Sequence, residues 1–270
     1  MARPVTVTYF VAATPAAVAA AAAELFTTCA SSAVAARGRA RIAISGGSTP
    51  KAMFALLADP SDTFVTRVPW ESIDLYWVDE RCVRPDEEES NYRMTNEALL
   101  SKVPLAGDRI HRMEGELDPE VAASRYESTL RNTFKLEGAE TPTFDLILLG
   151  MGDDGHTASL FPHTEALDEM SRLVVANHVP QKETWRLTLT WPVINQGREV
   201  AFLIEGEAKA QVLHDVFLGP YDPETWPSQL IRPAGHKLTL LLDSAAASKL
   251  PQPAVPTGSS GSTGTLELSQ

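Results

Sequence analysis

Two apolar rhythms run along this chain. Val5 to Val11 sets β-branched and aromatic residues in the near-alternating pattern of a first strand. Thr14 and Pro15 then stand where an N-cap and a first helical residue belong, and the alanine-rich run behind them predicts a helix to about Arg37, stopped by Gly38. Arg41 to Ser45 predicts a second strand, followed by the loop Gly46-Gly47-Ser48-Thr49 and a helix opening at Pro50. Ile73 to Val78 predicts a third, ending at Asp79-Glu80-Arg81. Asn91 to Leu100 reads as a helix, Arg109 to Met113 as a short strand, and Pro119 to Phe134 as a helix capped by Asp118.

Phe144 to Leu149 is an unbroken apolar run, the mark of a strand buried on both faces. It leads into Gly150-Met151-Gly152-Asp153-Asp154-Gly155-His156-Thr157, with a helical turn expected from Thr157 to Leu160. Further strands are predicted at Leu173 to Ala176, Trp185 to Leu189, Glu199 to Ile204 and His236 to Leu242, and helices at Lys209 to Phe217 and Asp243 to Lys249. Strands alternating with helices imply an α/β fold: one domain over 1–250, with an open, mostly parallel Rossmann-like sheet and helices on both faces. From 251 to 270 the chain turns rich in Pro, Gly, Ser and Thr and reads as a flexible low-complexity tail, outside fold and site.

Composition narrows the function. The 270 residues are 44% hydrophobic and 21% charged, ordinary for a globular protein, but the net charge of -12 leaves no basic surface for nucleic acid. A small anion needs only a local cluster of donors and stays compatible. The stretch Pro15 to Ala23 has no basic cluster before it and is interrupted by Glu24, so no membrane span or signal peptide is expected. Cys29 and Cys82 are far apart and form no metal-ligand spacing; as unpaired cysteines they point to the cytoplasm. A monomer or small homo-oligomer fits this size.

Four constellations carry candidate chemistry. In Ser45-Gly46-Gly47-Ser48-Thr49-Pro50 two glycines let backbone N–H groups converge on an anion at a helix start, although neither nucleotide fingerprint is present. Asp79-Glu80-Arg81 puts an arginine able to grip a phosphate beside a carboxylate able to hold it or a substrate hydroxyl; a plain ion pair is the alternative. Asp154-Gly155-His156 offers a general base with an acid to orient its ring, against the alternative of a solvated loop histidine. Arg186, inside a strand, and Lys209, at a strand-to-helix junction, each need an anionic partner, which is either a carboxylate or a phosphate. The remaining histidines are scattered, so no metal site is expected, and no serine-hydrolase elbow accompanies Ser45 or Ser48.

In combination and order, these motifs resemble the 6-phosphogluconolactonase family. Ser45 to Pro50, Asp79-Glu80-Arg81 with Ser90-Asn91-Tyr92, and Gly152 to Pro162 carry the likeness. Pro180-Gln181-Lys182 with Arg186-Leu187-Thr188 and Glu205-Gly206-Glu207-Ala208-Lys209 extend it. The resemblance implies the fold shared with glucosamine-6-phosphate deaminases and ribose-5-phosphate isomerases, and cofactor-free hydrolysis of a phosphorylated sugar lactone. It implies His156 as base, Asp154 as its orienting acid, and Ser45, Gly46, Gly47, Ser48, Asp79, Arg81, Arg186 and Lys209 as substrate and phosphate contacts. In the deaminase branch a glutamate follows the motif histidine by five positions; here that position is Phe161, which transfers no proton. A deaminase or a silent sugar-phosphate sensor are the alternatives.

Overall fold

The computed structural model describes residues 5–233, 236–253 and 261–268. It opens with β1 (Val5–Ala12) and α1 (Pro15–Arg37). The Thr14 hydroxyl accepts the Ala17 N–H at the helix start, and Gly38, at φ 73°, ends it in the left-handed conformation that suits glycine. β2 (Ala40–Ile44), α2 (Ser48–Leu57), the single turn α3 (Phe64–Arg67), β3 (Ile73–Trp77) and β4 (Asp79–Arg81) follow. Then come α4 (Asn91–Thr95), continued by a π-helical turn to Leu100, β5 (Ile110–His111) and α5 (Pro119–Phe134), whose first turn is capped by the Asp118 carboxylate as expected. The second half holds β6 (Leu146–Leu149), β7 (Val174–Val179), β8 (Thr184–Leu189), α6 (Trp191–Ile194), β9 (Glu199–Ile204), α7 (Ala210–Leu218), β10 (Lys237–Asp243) and β11 (Gly261–Leu268).

Eight strands form the main sheet in the order β11-β1-β10-β9-β6-β2-β3-β5, every pair parallel except β1 with β11. Every residue of β3, β6 and β9 is buried, so the centre of the sheet is covered on both faces, which is what makes these strands read as continuous apolar runs. From β2 the chain steps to β3, toward one edge; from β6 it later steps to β9, toward the other. The direction of winding thus reverses between the neighbours β2 and β6, and the crevice at the carboxyl ends of such a pair is where open parallel sheets bind ligands.

Four expectations need correction. The strands β7 and β8 do not join the main sheet; they pair antiparallel with each other and with β4 in a second sheet ordered β4-β8-β7, on which α5 packs. Helix α2 begins at Ser48 and not at Pro50, because Gly47, at φ 113°, takes the cap position and leaves Pro50 in the first turn, where its missing N–H costs nothing. Thr157 to Leu160 is a tight turn closed by a bridge between its ends.

The fourth is the tail. Gly261–Leu268 is an edge strand, and Ser262, Leu266 and Leu268 alternate inward from it. Its glycines answer β1: a Cβ on Gly264 would strike the Tyr9 ring, and one on Gly261 the Phe10 ring, so each aromatic lies over a residue with no side chain. Residues 254–260 and 269–270 of that segment lie outside the described residues.

Helix α1 has the length and apolarity to cross a membrane, yet one face of it, from Val18 through Phe26 to Ala33, is packed in the core against α2, β2 and β10. Both cysteines are free, and burial pushes the thiol of Cys29 up to about 12 and that of Cys82 to about 11.

Candidate active site

The loops at the carboxyl ends of β2, β3, β6 and β9 surround one cavity of about 510 Å³. Ser45, Gly46, Gly47, Ser48, Asp79, Arg81, His156, Arg186 and Lys209, drawn from five separate stretches of sequence, all line it. Asp154 is the one expected residue outside the lining; it stands behind His156, its Oδ1 2.5 Å from the ring Nδ1.

The turn that carries this pair is held by its own backbone. Gly152 N–H donates to the His156 carbonyl at 2.9 Å, Gly155 N–H to the Gly152 carbonyl at 3.2 Å, and His156 N–H to Asp154 Oδ1 at 3.2 Å. Gly155 sits at φ 74°, where a Cβ would come within 2.7 Å of the Trp226 ring, and a Cβ on Gly152 would overlap the imidazole. Both glycines are therefore required by geometry. Phe161 stacks on the other side of the histidine, ring centroids 4.0 Å apart and planes 22° from parallel. With Nδ1 engaged by Asp154, the Nε2 nitrogen is left for the cavity. Burial alone would raise the Asp154 carboxyl, but the hydrogen bond and charge of His156 and the backbone N–H groups outweigh it and hold the carboxyl below its ordinary range. The acid therefore stays ionised beside the imidazole.

On the opposite wall, the plain-ion-pair reading of Asp79-Glu80-Arg81 fails. Glu80 is buried and accepts the backbone N–H groups of Arg81, Asn91 and Tyr92, each at 2.8 Å, which ties β4 to the start of α4. Burial raises its carboxyl despite those donors. Asp79 Oδ2 accepts the Ser159 hydroxyl at 2.8 Å, and the Asn91 amide donates to the Asp79 carbonyl at 2.9 Å. Arg81 is directly opposite Arg186 in the β4–β8 pairing. Arg81 gives one N–H to the Glu89 carbonyl at 2.6 Å, while the Arg186 Nε is buried with no partner. Burial, and then the like charge of Arg81, lower the pKa of Arg186. Two guanidinium groups facing each other across a ladder are destabilising without an anion between them.

The glycine loop supplies the third wall. The buried Ser45 hydroxyl has no partner, and the first-turn N–H groups of α2 have none within the helix. Gly46 is pressed against the Asn91 amide, so no side chain fits there. Lys209 reaches the cavity from beyond β9 and pairs with the exposed Asp153 at 2.5 Å.

Asn91, Thr49, Ser159, Lys182 and Glu205 also line the cavity and were not among the expected contacts. All five lie inside motifs that carry the family likeness, Thr49 within the glycine loop among them, and the signal was there. Glu205 also had a local sign, an acid placed directly after a fully apolar run and before a glycine. Among the described residues no group of three His, Cys, Asp or Glu side chains is spaced to hold a metal ion.

The arrangement can grip a phosphate at one end and activate water at the other. The family model for glucosamine-6-phosphate isomerases/6-phosphogluconolactonase matches residues 13–240. The chain belongs to this family. It is 43% identical over 219 residues to a 6-phosphogluconolactonase of Synechocystis sp., covering 81% of this chain and 88% of that protein. It is 38% identical over 226 residues to one of Mycobacterium tuberculosis, with the same two coverages of 81% and 88%. The solved 6-phosphogluconolactonase of Trypanosoma cruzi superposes with a TM-score of 0.78 at 29% identity, over 90% of this chain and 96% of that one. A monomeric glucosamine-6-phosphate deaminase, 20% identical with a TM-score of 0.74, shares the fold.

Proposed function

We propose that the protein hydrolyses 6-phospho-D-glucono-1,5-lactone to 6-phospho-D-gluconate in the cytoplasm, as the second step of the oxidative pentose phosphate pathway, with His156 as general base. The single observation that carries this reading is the His156–Asp154 contact at 2.5 Å, with His156 lining a cavity that also holds two facing arginines. The phosphate is met by the glycine loop, Arg186 and Lys209, and its binding energy aligns the lactone carbon with the imidazole.

His156 Nε2 takes a proton from water as its oxygen attacks C1, giving a tetrahedral oxyanion. Three backbone N–H groups of the Gly152–His156 turn are committed within the turn, so they are not the oxyanion's donors. The guanidinium of Arg81 takes that part, leaving Arg186 to the phosphate. Protonated His156 then gives its proton to the ring oxygen as the C1–O bond breaks. Water is thereby added across the ester bond with no net change on the enzyme. Asp154 keeps the ring oriented and offsets its transient charge.

The test is hydrolysis of freshly generated lactone, measured above the spontaneous rate. His156→Ala should lower kcat by about 10²–10⁴-fold with the fold intact, and glucosamine 6-phosphate should release no ammonium. Ammonium release would overturn the reading, and near-normal turnover by the variant would remove His156 as base.

A further inference from the structure

One ionisable group in the cavity is left without a task by this chemistry. Glu205 follows the last residue of β9 and lines the cavity beside Ser45, Thr49 and Lys209. Its Oε1 is fully buried and has no hydrogen-bond partner, and Thr49 of α2 lines the same corner. The lysine four residues along turns away from it to Asp153, and no ion pair reaches Glu205 among the described residues. An ionised Glu205 would place charge on a buried oxygen without a counter-ion, a costly state that a carboxyl avoids by keeping its proton.

Its surroundings push the same way. Behind it, at the end of β10, Asp243 is buried and accepts the N–H groups of Gly206 at 3.0 Å and Ala246 at 2.8 Å. Burial first, and then the negative charge of Asp243, raise the Glu205 carboxyl, against the lowering effect of Thr49. The other charged groups of the cavity are Lys209, His156, Arg81, Arg186, Lys182 and Asp79. Around a protonated carboxyl in this corner stand the Ser45 and Thr49 hydroxyls and the N–H groups opening α2. The hydroxyls offer only neutral acceptors, and an ionised phosphate oxygen is a stronger one.

We infer that Glu205 is a specificity-determining residue, which donates its O–H to an oxygen of the ligand's phosphate. The inference rests on the reading that the phosphate sits at the glycine loop. A charge-assisted O–H···O⁻ bond is short and strong, and it forms only while the carboxyl keeps its proton. Once ionised, the same group repels the phosphate dianion, so this corner makes binding of the phosphate end weaken as pH rises.

The test is calorimetric binding of 6-phosphogluconate, and of unphosphorylated gluconate as control, to the whole wild-type chain, Glu205→Gln and Glu205→Ala from pH 5 to 8.5. The Gln amide keeps a donor and cannot ionise, so the ratio of wild-type to Gln dissociation constants cancels the titration of the phosphate and of His156. That ratio should lie near one at pH 5 and climb to about tenfold or more by pH 8.5, in line with the loss of one charge-assisted bond. Glu205→Ala should bind at least about tenfold more weakly than Gln at every pH, and gluconate should not distinguish the three proteins. A flat ratio, or a Gln variant weaker than wild type throughout, would overturn the inference; the second result would make Glu205 an ionised acceptor for a sugar hydroxyl. Binding is read without turnover, so absence of lactone hydrolysis would fail the functional reading and leave this pattern intact.

Discussion

Replacing Arg186 by Met separates binding from folding, because the two should move in opposite directions. The Met stem keeps the packing of the arginine's methylenes and removes only the guanidinium. Arg186 faces Arg81 across the β4–β8 pair, and its Nε is buried without an acceptor. A like-charged cross-strand pair costs about 0.2–1 kcal/mol, and a buried donor left unmade costs about 1–3 kcal/mol. Relief of both, offset in part by the dispersion attraction of the missing guanidinium atoms, should stabilise the ligand-free protein by about 1–2 kcal/mol, or roughly 2–8 °C in Tm for a chain of this size.

Binding should suffer in the same variant. Hydrogen bonds to charged groups contribute about 1.5–3 kcal/mol each, so loss of a guanidinium from the phosphate end should cost about 2–4 kcal/mol and raise KM by about 30- to 700-fold. The change in kcat should stay much smaller, since the His156–Asp154 pair is untouched. Calorimetric melting without ligand and initial rates corrected for spontaneous lactone opening measure the two effects. A lower Tm with unchanged KM would refute the reasoning, because it would make Arg186 a structural residue whose partner is already in the protein.

Two further perturbations test the frame around the site. Gly155→Ala should destabilise the protein by about 1–3 kcal/mol and lower activity beyond that, since the residue sits at φ 74° and its new Cβ would press on Trp226; a variant with native melting and native rate would show that the turn is not what fixes His156. Leu266→Ala should cost about 2 kcal/mol or more in denaturant unfolding, because Leu266 is only 8% exposed where β11 lies on β1. An unchanged midpoint would mean that the strand is not docked in solution.

What the sequence disclosed follows the range of the forces involved. The ends of α1 and α5 were legible because Thr14, Gly38 and Asp118 act on backbone groups within four residues of themselves. The buried strands β6 and β9 were legible because cover on both faces leaves an unbroken apolar run. Strand β11 was hidden because its Gly, Ser and Thr content outweighed the alternation of Ser262, Leu266 and Leu268, and its glycines make sense only once Tyr9 and Phe10 lie over them. Nothing local tells β7 and β8 that their partner is β4, so their separation from the main sheet was not legible. In the site, the motifs were legible, five of their lining residues were not singled out, and their wiring was hidden. The arginine pair depends on register, and Asn91 earns its place only through its contact with Gly46.

Phe161 links the fold to the choice of reaction. The fold is shared with a glucosamine-6-phosphate deaminase 20% identical to this chain, so scaffold alone does not decide the chemistry. A glutamate in place of Phe161 would set a second carboxyl against the imidazole, where it would compete with Asp154 and offer a second proton carrier. The phenyl ring, 4% exposed and stacked at 4.0 Å, does neither. It closes one face of the histidine to water, leaves Asp154 as the sole acid bonded to the ring among the described residues, and confines proton traffic to Nε2. Lactone hydrolysis needs one group that takes a proton from water and returns it to the ring oxygen. In the proposed mechanism a single oriented histidine under an apolar cover supplies that, whereas opening and deaminating an amino sugar calls for proton transfers at more than one atom.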